Sequence, residues 1–277
     1  MDHIPIVCEL GINHQGSINL AFELIEMAKS CGADFVKLQK REPEASTPAS
    51  QWTIPKVPPW GGEVISYIDY RKAIEFWSPQ YDAIDAKCKL AGIRWFASVW
   101  DRQSLEFMRQ YDVPFIKIPS AKIVRRELLL HARNQPAPVI LSTGMSTLEE
   151  IDTAVETIGR NDTIILHCHS AYPCKDSEIN LRVMDTLHKR YNLPVGLSSH
   201  STSPFPSIIA AALGAKMIEV HITTDRSLPG SDHAASLERP GLELLVREVR
   251  RLDLIMGDGI KKIWPSEETA KDKLRGN

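Results

Sequence analysis

Two histidines, His200 and His221, and two lysines, Lys37 and Lys117, stand at or near the ends of short apolar runs, with Glu9 at the end of another. Other polar side chains collect at the same points. In chain order they are Glu9 with Asn13 and His14, Lys37 with Gln39, Ser98 with Asp101, Lys117 with Ser120, and Ser142 with Thr143. His167 with His169 and Ser170, Ser198 with His200, and His221 with Asp232 in the loop beyond complete the series. Lys37 in F-V-K-L-Q and Lys117 in F-I-K-I-P lie within strand-like runs, where a buried ammonium is heavily penalised unless an anion answers it. That anion is either a protein carboxylate, making a structural ion pair, or a bound ligand. Two such lysines beside serine hydroxyls suit a ligand carrying phosphate and carboxylate. Taken singly, His200 and His221 are equally well read as hydrogen-bonded structural histidines. If their strands are neighbours the two imidazoles can converge on one ion, and with Glu9 and Asp232 nearby they suit a divalent metal with mixed N and O ligands and open positions. His167 and His169 are two apart and face the same way, His169 toward the rim and His167 deeper in the core.

The elements that must position these residues are the runs themselves. Eight of them, at residues 4–10, 34–39, 93–98, 114–119, 138–142, 163–168, 194–198 and 217–222, are bounded by turn residues and separated mostly by helix-length segments. Strand alternating with helix predicts βαβ units and a parallel sheet, and eight units predict a single (β/α)8 TIM barrel spanning residues 1–277, with a doubly wound open sheet as the alternative. In a barrel the carboxyl ends of the strands form the catalytic face, where the polar residues fall. Apolar spacing near 3.6 marks the helices, as in Leu20, Phe22, Leu24, Ile25 and Ala28, or Ile208, Ile209, Ala211 and Leu213. Ser146 and Glu149 have the spacing of a capping box opening the fifth helix. Residues 41–70 contain Pro43, Pro48, Pro55, Pro58 and Pro59 and cannot form one helix; they predict a long loop that encloses the site. The charged residues 267–277 are expected to fray.

Composition narrows the partners. With 33 Lys plus Arg against 35 Asp plus Glu the net charge is −2, which gives no bulk attraction for nucleic acid or an anionic membrane surface. Small molecules are the expected partners. No basic region leads into an apolar one at the amino terminus and no apolar run reaches 18 residues, so a cytoplasmic location is expected. Five cysteines without a C-x-x-C pair read as reduced structural thiols, Cys8 and Cys168 included.

Six motifs carry a resemblance: E-L-G-I-N-H-Q-G at 9–16, D-F-V-K-L-Q at 34–39, L-S-T-G-M-S at 141–146, L-H-C-H-S-A-Y-P at 166–173, G-L-S-S-H-S at 196–201 and D-R-S-L-P-G-S-D-H-A-A-S-L-E at 225–238. Over essentially its whole length the chain resembles the sialic acid synthase family, N-acetylneuraminate synthase and its legionaminic and pseudaminic relatives. The resemblance implies a (β/α)8 barrel that binds phosphoenolpyruvate and a divalent cation, Mn2+ before Mg2+ or Co2+, and condenses the enolpyruvyl group with an open-chain aldose such as N-acetylmannosamine, with a homodimer as the expected assembly. It implies metal ligation by His200 and His221, and phosphoenolpyruvate held by Lys37, Gln39, Ser98, Lys117, Ser120, Ser170 and Ser198. It further implies Glu9 as the catalytic carboxylate, with Lys37 and Lys117 stabilising the phosphate, and acceptor contacts from Tyr172 and Asp232.

The chain departs from the family pattern at four points. The acidic residue of K-I-x-S-G-E or S-G-D is Lys122, so an acceptor contact changes sign unless Lys122 points to solvent or pairs with Glu127. Ser199 replaces the Asp of S-D-H, and His169 replaces the Thr of L-H-C-T-S. The antifreeze-like carboxy-terminal domain, which in full-length members reaches a partner subunit's site with an arginine, has no counterpart in these 277 residues. Two alternatives stay open at this point: a Schiff-base pyruvate aldolase using Lys37 or Lys117, and a non-catalytic binding subunit of the same fold.

Overall fold

Alternation of side chains along the strands decides this architecture. The computed structural model describes residues 3–159 and 162–276. The strands are β1 (Ile6–Gly11), β2 (Phe35–Lys40), β3 (Pro55–Lys56), β4 (Ile65–Ser66), β5 (Arg94–Val99), β6 (Ile116–Ile118), β7 (Val139–Ser142), β8 (Thr163–Cys168), β9 (Val195–Ser199) and β10 (Ile218–His221). All except the β3–β4 hairpin pair in parallel with their sequence neighbours, and β10 returns to β1, closing a barrel. A helix follows each barrel strand, the first Ile18–Ser30 and the last Arg239–Met256. The expected (β/α)8 barrel is the fold, and the open sheet is excluded.

Val7, Phe96, Ile140, Leu166 and Met217 form an apolar cluster of their own, with Phe35, Phe115 and Ile164 packed against it. This cluster plugs the barrel. Two residues further along the same strands, and so on the same face, come Glu9, Lys37, Ser98, Lys117, Ser142, Cys168 and Glu219. The intervening residues Cys8, Val36, Ala97, Ile116, Leu141 and Ile218 belong to the main core under the helices, and in β8 the intervening residue is the buried His167. Burying each larger apolar side chain stabilises the barrel by about 1.5–3 kcal/mol, which supports a polar layer above the plug. Space inside is tight: a Cβ on Gly196 would lie 2.3 Å from the Met217 carbonyl oxygen and 2.8 Å from Leu166 Cδ2.

Three local expectations are corrected. The fifth-helix cap is Thr147 with Glu150, not Ser146 with Glu149: Thr147 Oγ1 accepts from Glu150 N at 3.3 Å and Glu150 Oε2 accepts from Thr147 N at 2.9 Å. Met145, in the left-handed region at φ 59°, prolongs the turn by one residue, and Ser146 Oγ donates to Gly144 O instead. In Phe205–Ala212 the buried face is Pro206, Ser207, Ala210 and Ala211; the helix ends before Leu213, which is exposed. Residues 41–70 are not a plain loop. They hold a short helix (Pro43–Ser46), a 3-10 turn (Ala49–Gln51), the β3–β4 hairpin and the start of a helix (Tyr67–Ile74). Lys40 pins this excursion at its base, donating to Glu75 Oε1 at 2.9 Å and Phe76 O at 2.9 Å. The charged carboxyl end forms an exposed helix, Pro265–Arg275, in which Glu267 Oε2 accepts from Trp264 N at 2.9 Å; Asn277 lies outside the described residues. No helix among the described residues is long and apolar enough to cross a membrane.

Candidate active site

Above the plug two ammonium groups share two carboxylates. Lys117 Nζ donates to both Glu219 oxygens, at 2.9 and 2.8 Å. Lys37 Nζ lies 3.6 Å from Glu219 Oε1, ion-pairs with Glu9 Oε2 and donates to Ser98 Oγ at 2.8 Å. Ser198 Oγ donates to Glu219 Oε1 at 2.9 Å, and Gln39 Nε2 donates to Glu9 Oε1 at 3.0 Å. Burial would raise the Glu219 carboxyl, but Lys117 and Lys37 override it and hold it at about 2. Burial pushes the Glu9 carboxyl above its ordinary range, with Lys37 opposing. Burial also depresses the Lys117 ammonium. It works against Lys37 too, yet Glu219 and Glu9 hold that ammonium above its usual range. The structural ion pairs therefore exist, and they line the pocket.

Glu219 was absent from the residues singled out above. The signal was available in I-E-V-H, where alternation sets Glu219 on the face of His221. Reading strand ends passed over it because it lies one layer inside.

His200 Nδ1 is 2.5 Å from His169 O, which leaves Nε2 free to ligate. His221 Nδ1 is buried without a hydrogen-bond partner, 3.7 Å from Asp232 Oδ2. The two rings lie 5.2 Å apart between centroids, and the Tyr172 ring packs 3.9 Å from that of His200. Burial pulls His221 down to about 3, leaving it neutral, the form that binds metals. The orphaned nitrogen and converging rings fit a divalent ion. Among the described residues no group of three or more His, Cys, Asp or Glu side chains could hold a metal, and Glu9 is engaged by Lys37 and Gln39. The fit is therefore to two protein ligands, with the remaining positions left to oxygen donors.

A cavity of 180 Å3 is lined by Glu9, Lys37, Gln39, Ser98, Lys117, Ser120, Ser170, Tyr172, Ser198, His200 and His221, together with Ser142, Cys168 and Glu219. Ser120 Oγ accepts from Gly144 N at 3.0 Å, and a Cβ on Gly144 would fall 2.2 Å from Ser170 Oγ and 3.0 Å from Ser120 Oγ, so glycine lets both hydroxyls close in on the backbone there. Two expected residues lie elsewhere. Asp232 Oδ2 lies 3.7 Å from His221 Nδ1, and Asp232 is not part of the cavity lining. Lys122 lines an adjoining cavity of 810 Å3, which shares Trp100 and Ala121 with the first. Lys122 Nζ donates to Ser46 O at 3.1 Å, and its expected alternative partner Glu127 instead approaches Arg102 at 3.8 Å. Among the other strand-end residues, Asp101 caps the helix Arg102–Met108. Asn13 donates to Ile222 O and Ser236 Oγ at 2.8 and 2.9 Å, His14 stacks on Phe76, and the buried His167 pairs with Ile179 O at 2.7 Å. These four serve the scaffold.

A closed parallel barrel with ionisable side chains gathered at the carboxyl ends of its strands defines a (β/α)8-barrel enzyme. The chain belongs to the NeuB family, whose match covers residues 24–261. It is 35% identical over 275 residues to the N-acetylneuraminate-9-phosphate synthase of Homo sapiens, covering 97% of this chain and 76% of that protein. It is 32% identical over 268 residues to the N,N'-diacetyllegionaminic acid synthase of Legionella pneumophila, covering 93% of this chain and 74% of that one. A crystal structure of N-acetylneuraminic acid synthetase from Leptospira borgpetersenii serovar Hardjo-bovis, in complex with citrate, superposes with a TM-score of 0.85 at 30% identity, covering 100% of this chain and 94% of that chain.

Proposed function

We propose that this enzyme condenses phosphoenolpyruvate and water with an open-chain aldose, N-acetylmannosamine-like or related, to give a sialic-acid-type 2-keto-3-deoxy acid and phosphate. The observation that carries the reading is the 180 Å3 cavity, where Lys37, Lys117 and serine hydroxyls lie beside the converging His200 and His221. Phosphoenolpyruvate is held by Lys37, Lys117, Gln39, Ser98, Ser120, Ser170 and Ser198, with the two ammonium groups on phosphate and carboxylate. His200 and His221 would hold a divalent ion, Mn2+ ahead of Mg2+ or Co2+, which when bound would supply Lewis-acid polarisation of the aldehyde oxygen. C3 of the enol attacks the aldehyde carbon, C2 gains cationic character, and water adds there. Glu9, fixed by Gln39 and Lys37, orients that water and accepts its proton. Lys37 and Lys117 stabilise the phosphate as the tetrahedral intermediate collapses. Tyr172, packed on both histidines, orders the acceptor, Asp232 steadies His221, and residues 41–70 keep bulk water out.

The ion pairs oppose a Schiff-base route. A Schiff base needs a neutral amine, and both ammonium groups sit on carboxylates, Lys37 on Glu9 and Lys117 on both Glu219 oxygens; the carboxylates hold Lys37 above its usual range, while burial depresses Lys117. The proposed setting is the cytoplasm, where the five free cysteines stay reduced. The proposed assembly is a homodimer, for which the exposed Leu254, Ile255, Ile260 and Trp264 offer apolar surface. Phosphate release should require both a divalent ion and an aldehyde, and His200→Ala and His221→Ala should each abolish tight metal binding while leaving the circular dichroism spectrum intact. Full phosphate release after exhaustive chelation contradicts the metal assignment.

A further inference from the structure

The outer cavity carries buried donors that no protein group answers. Arg41, Ser46, Trp100 and Lys122 contribute to its walls. Arg41 Nε, Ser46 Oγ and Trp100 Nε1 are buried without hydrogen-bond partners. A guanidinium and an indole can only donate, so neither satisfies the other, and both call for an acceptor-rich group. The Arg41 guanidinium carbon lies 3.3 Å from the Trp100 ring centroid, and a hydrogen bond to Gln39 Oε1 holds its far side, so the fork has a fixed orientation. Lys122 Nζ brings a second cation 5.7 Å from the same ring. The acids of this cavity are engaged elsewhere. Asp101 accepts from Ser104 N and Glu42 N, each at 2.7 Å, and Glu127 faces Arg102.

We propose that Arg41, with Lys122 and the Trp100 indole, is the specificity-determining anchor of the acceptor and binds an anionic group, carboxylate or phosphate, at the end of the sugar remote from its aldehyde. This rests on the condensation reading. The aldehyde has to reach the histidine pair in the inner cavity, and Trp100 and Ala121 border both cavities, so an extended open-chain sugar passes them and leaves its far end beside Arg41. A planar guanidinium stacked on an aromatic ring recognises either oxyanion. The anchor is also wired to the chemistry, since Arg41 bonds Gln39 and Gln39 bonds Glu9. An acceptor seated on Arg41 thus steadies the carboxylate that handles water.

The test compares kcat/KM for phosphoenolpyruvate-dependent phosphate release with N-acetylmannosamine, N-acetylmannosamine 6-phosphate and a hexuronic acid, in wild type, Arg41→Met and Lys122→Met. In wild type one acidic acceptor should exceed the neutral sugar by about ten- to a hundredfold, and the phosphate and uronate arms reveal which anion is meant. In both variants that ratio should fall toward one, mainly through KM. A neutral sugar as good as both acids overturns the anchor, with the wild-type ratio alone deciding even if a variant fails to fold. A preference that survives in both variants overturns the assignment to Arg41 and Lys122. Turnover of neutral sugars without any acid preference leaves the condensation standing and sinks only this inference. Absence of aldose-dependent release with every acceptor overturns both.

Discussion

Glu219→Ala should destabilise the barrel by about 3–5 kcal/mol, the cost of removing one partner from a buried ion pair. Glu219 bonds Lys117 through both oxygens and also faces Lys37, so its loss leaves two ammonium groups above an apolar plug with only Glu9 to answer them. Adding Lys117→Met to Glu219→Ala should recover much of that loss, because the buried unpaired charge goes with the lysine. Urea unfolding of the two variants reads both effects. A single-variant loss under about 1 kcal/mol would mean that water or a shifted lysine compensates, and that the polar layer is looser than its distances imply. The same carboxylate bears on function. A phosphate and a carboxylate arriving beside Lys37 and Lys117 meet a site whose positive charge is already balanced, so ligand affinity depends on how the four groups redistribute.

Glu9→Gln should lower kcat by about 10²–10⁴-fold, the usual contribution of a positioned general base, with the KM for phosphoenolpyruvate changing only a few-fold. Glutamine keeps an oxygen for the Gln39 amide but has no charge to accept the proton of water. Selective loss of turnover marks an interaction expressed mainly in the transition state. Burial raises the Glu9 carboxyl, so turnover in wild type should fall, as pH drops, at a higher pH than an ordinary carboxylate would give, because the base works only when ionised. Steady-state kinetics across pH for wild type and variant measure both. Collapsed affinity with surviving turnover would make Glu9 a binding residue and undo its assignment to water.

How far the molecule could be read from its residues follows from the range of the forces involved. The eight barrel strands were legible because a short apolar run bounded by turn residues is a local signal, and the strand-end lysines and histidines because polar side chains there are conspicuous. Glu219 was missed despite the alternation along its strand, since it sits among apolar neighbours one layer below the strand end. Arg41 was missed for a different reason. Its position depends on Lys40 binding Glu75 and on stacking against Trp100, pairings across 35 and 59 residues that no local pattern encodes. The β3–β4 hairpin has two residues per strand, too few to show a period. The slip of the fifth-helix cap from Ser146 to Thr147 turned on one left-handed residue, Met145, where sequence preference predicts none.

The central claim is that carbon–carbon bond formation drives water onto C2 of the enol phosphate and expels phosphate with the bridging oxygen. Phosphoenolpyruvate labelled with ¹⁸O in its C2–O–P bridge tests this directly. Incubated with enzyme, Mn2+ and a productive aldose, it should yield inorganic phosphate that carries the label, released in step with the 2-keto-3-deoxy acid and only when the aldose is present. Unlabelled phosphate would mean cleavage between phosphorus and oxygen, and labelled or unlabelled release that proceeds equally without aldose would mean that no condensation takes place; either result contradicts the account.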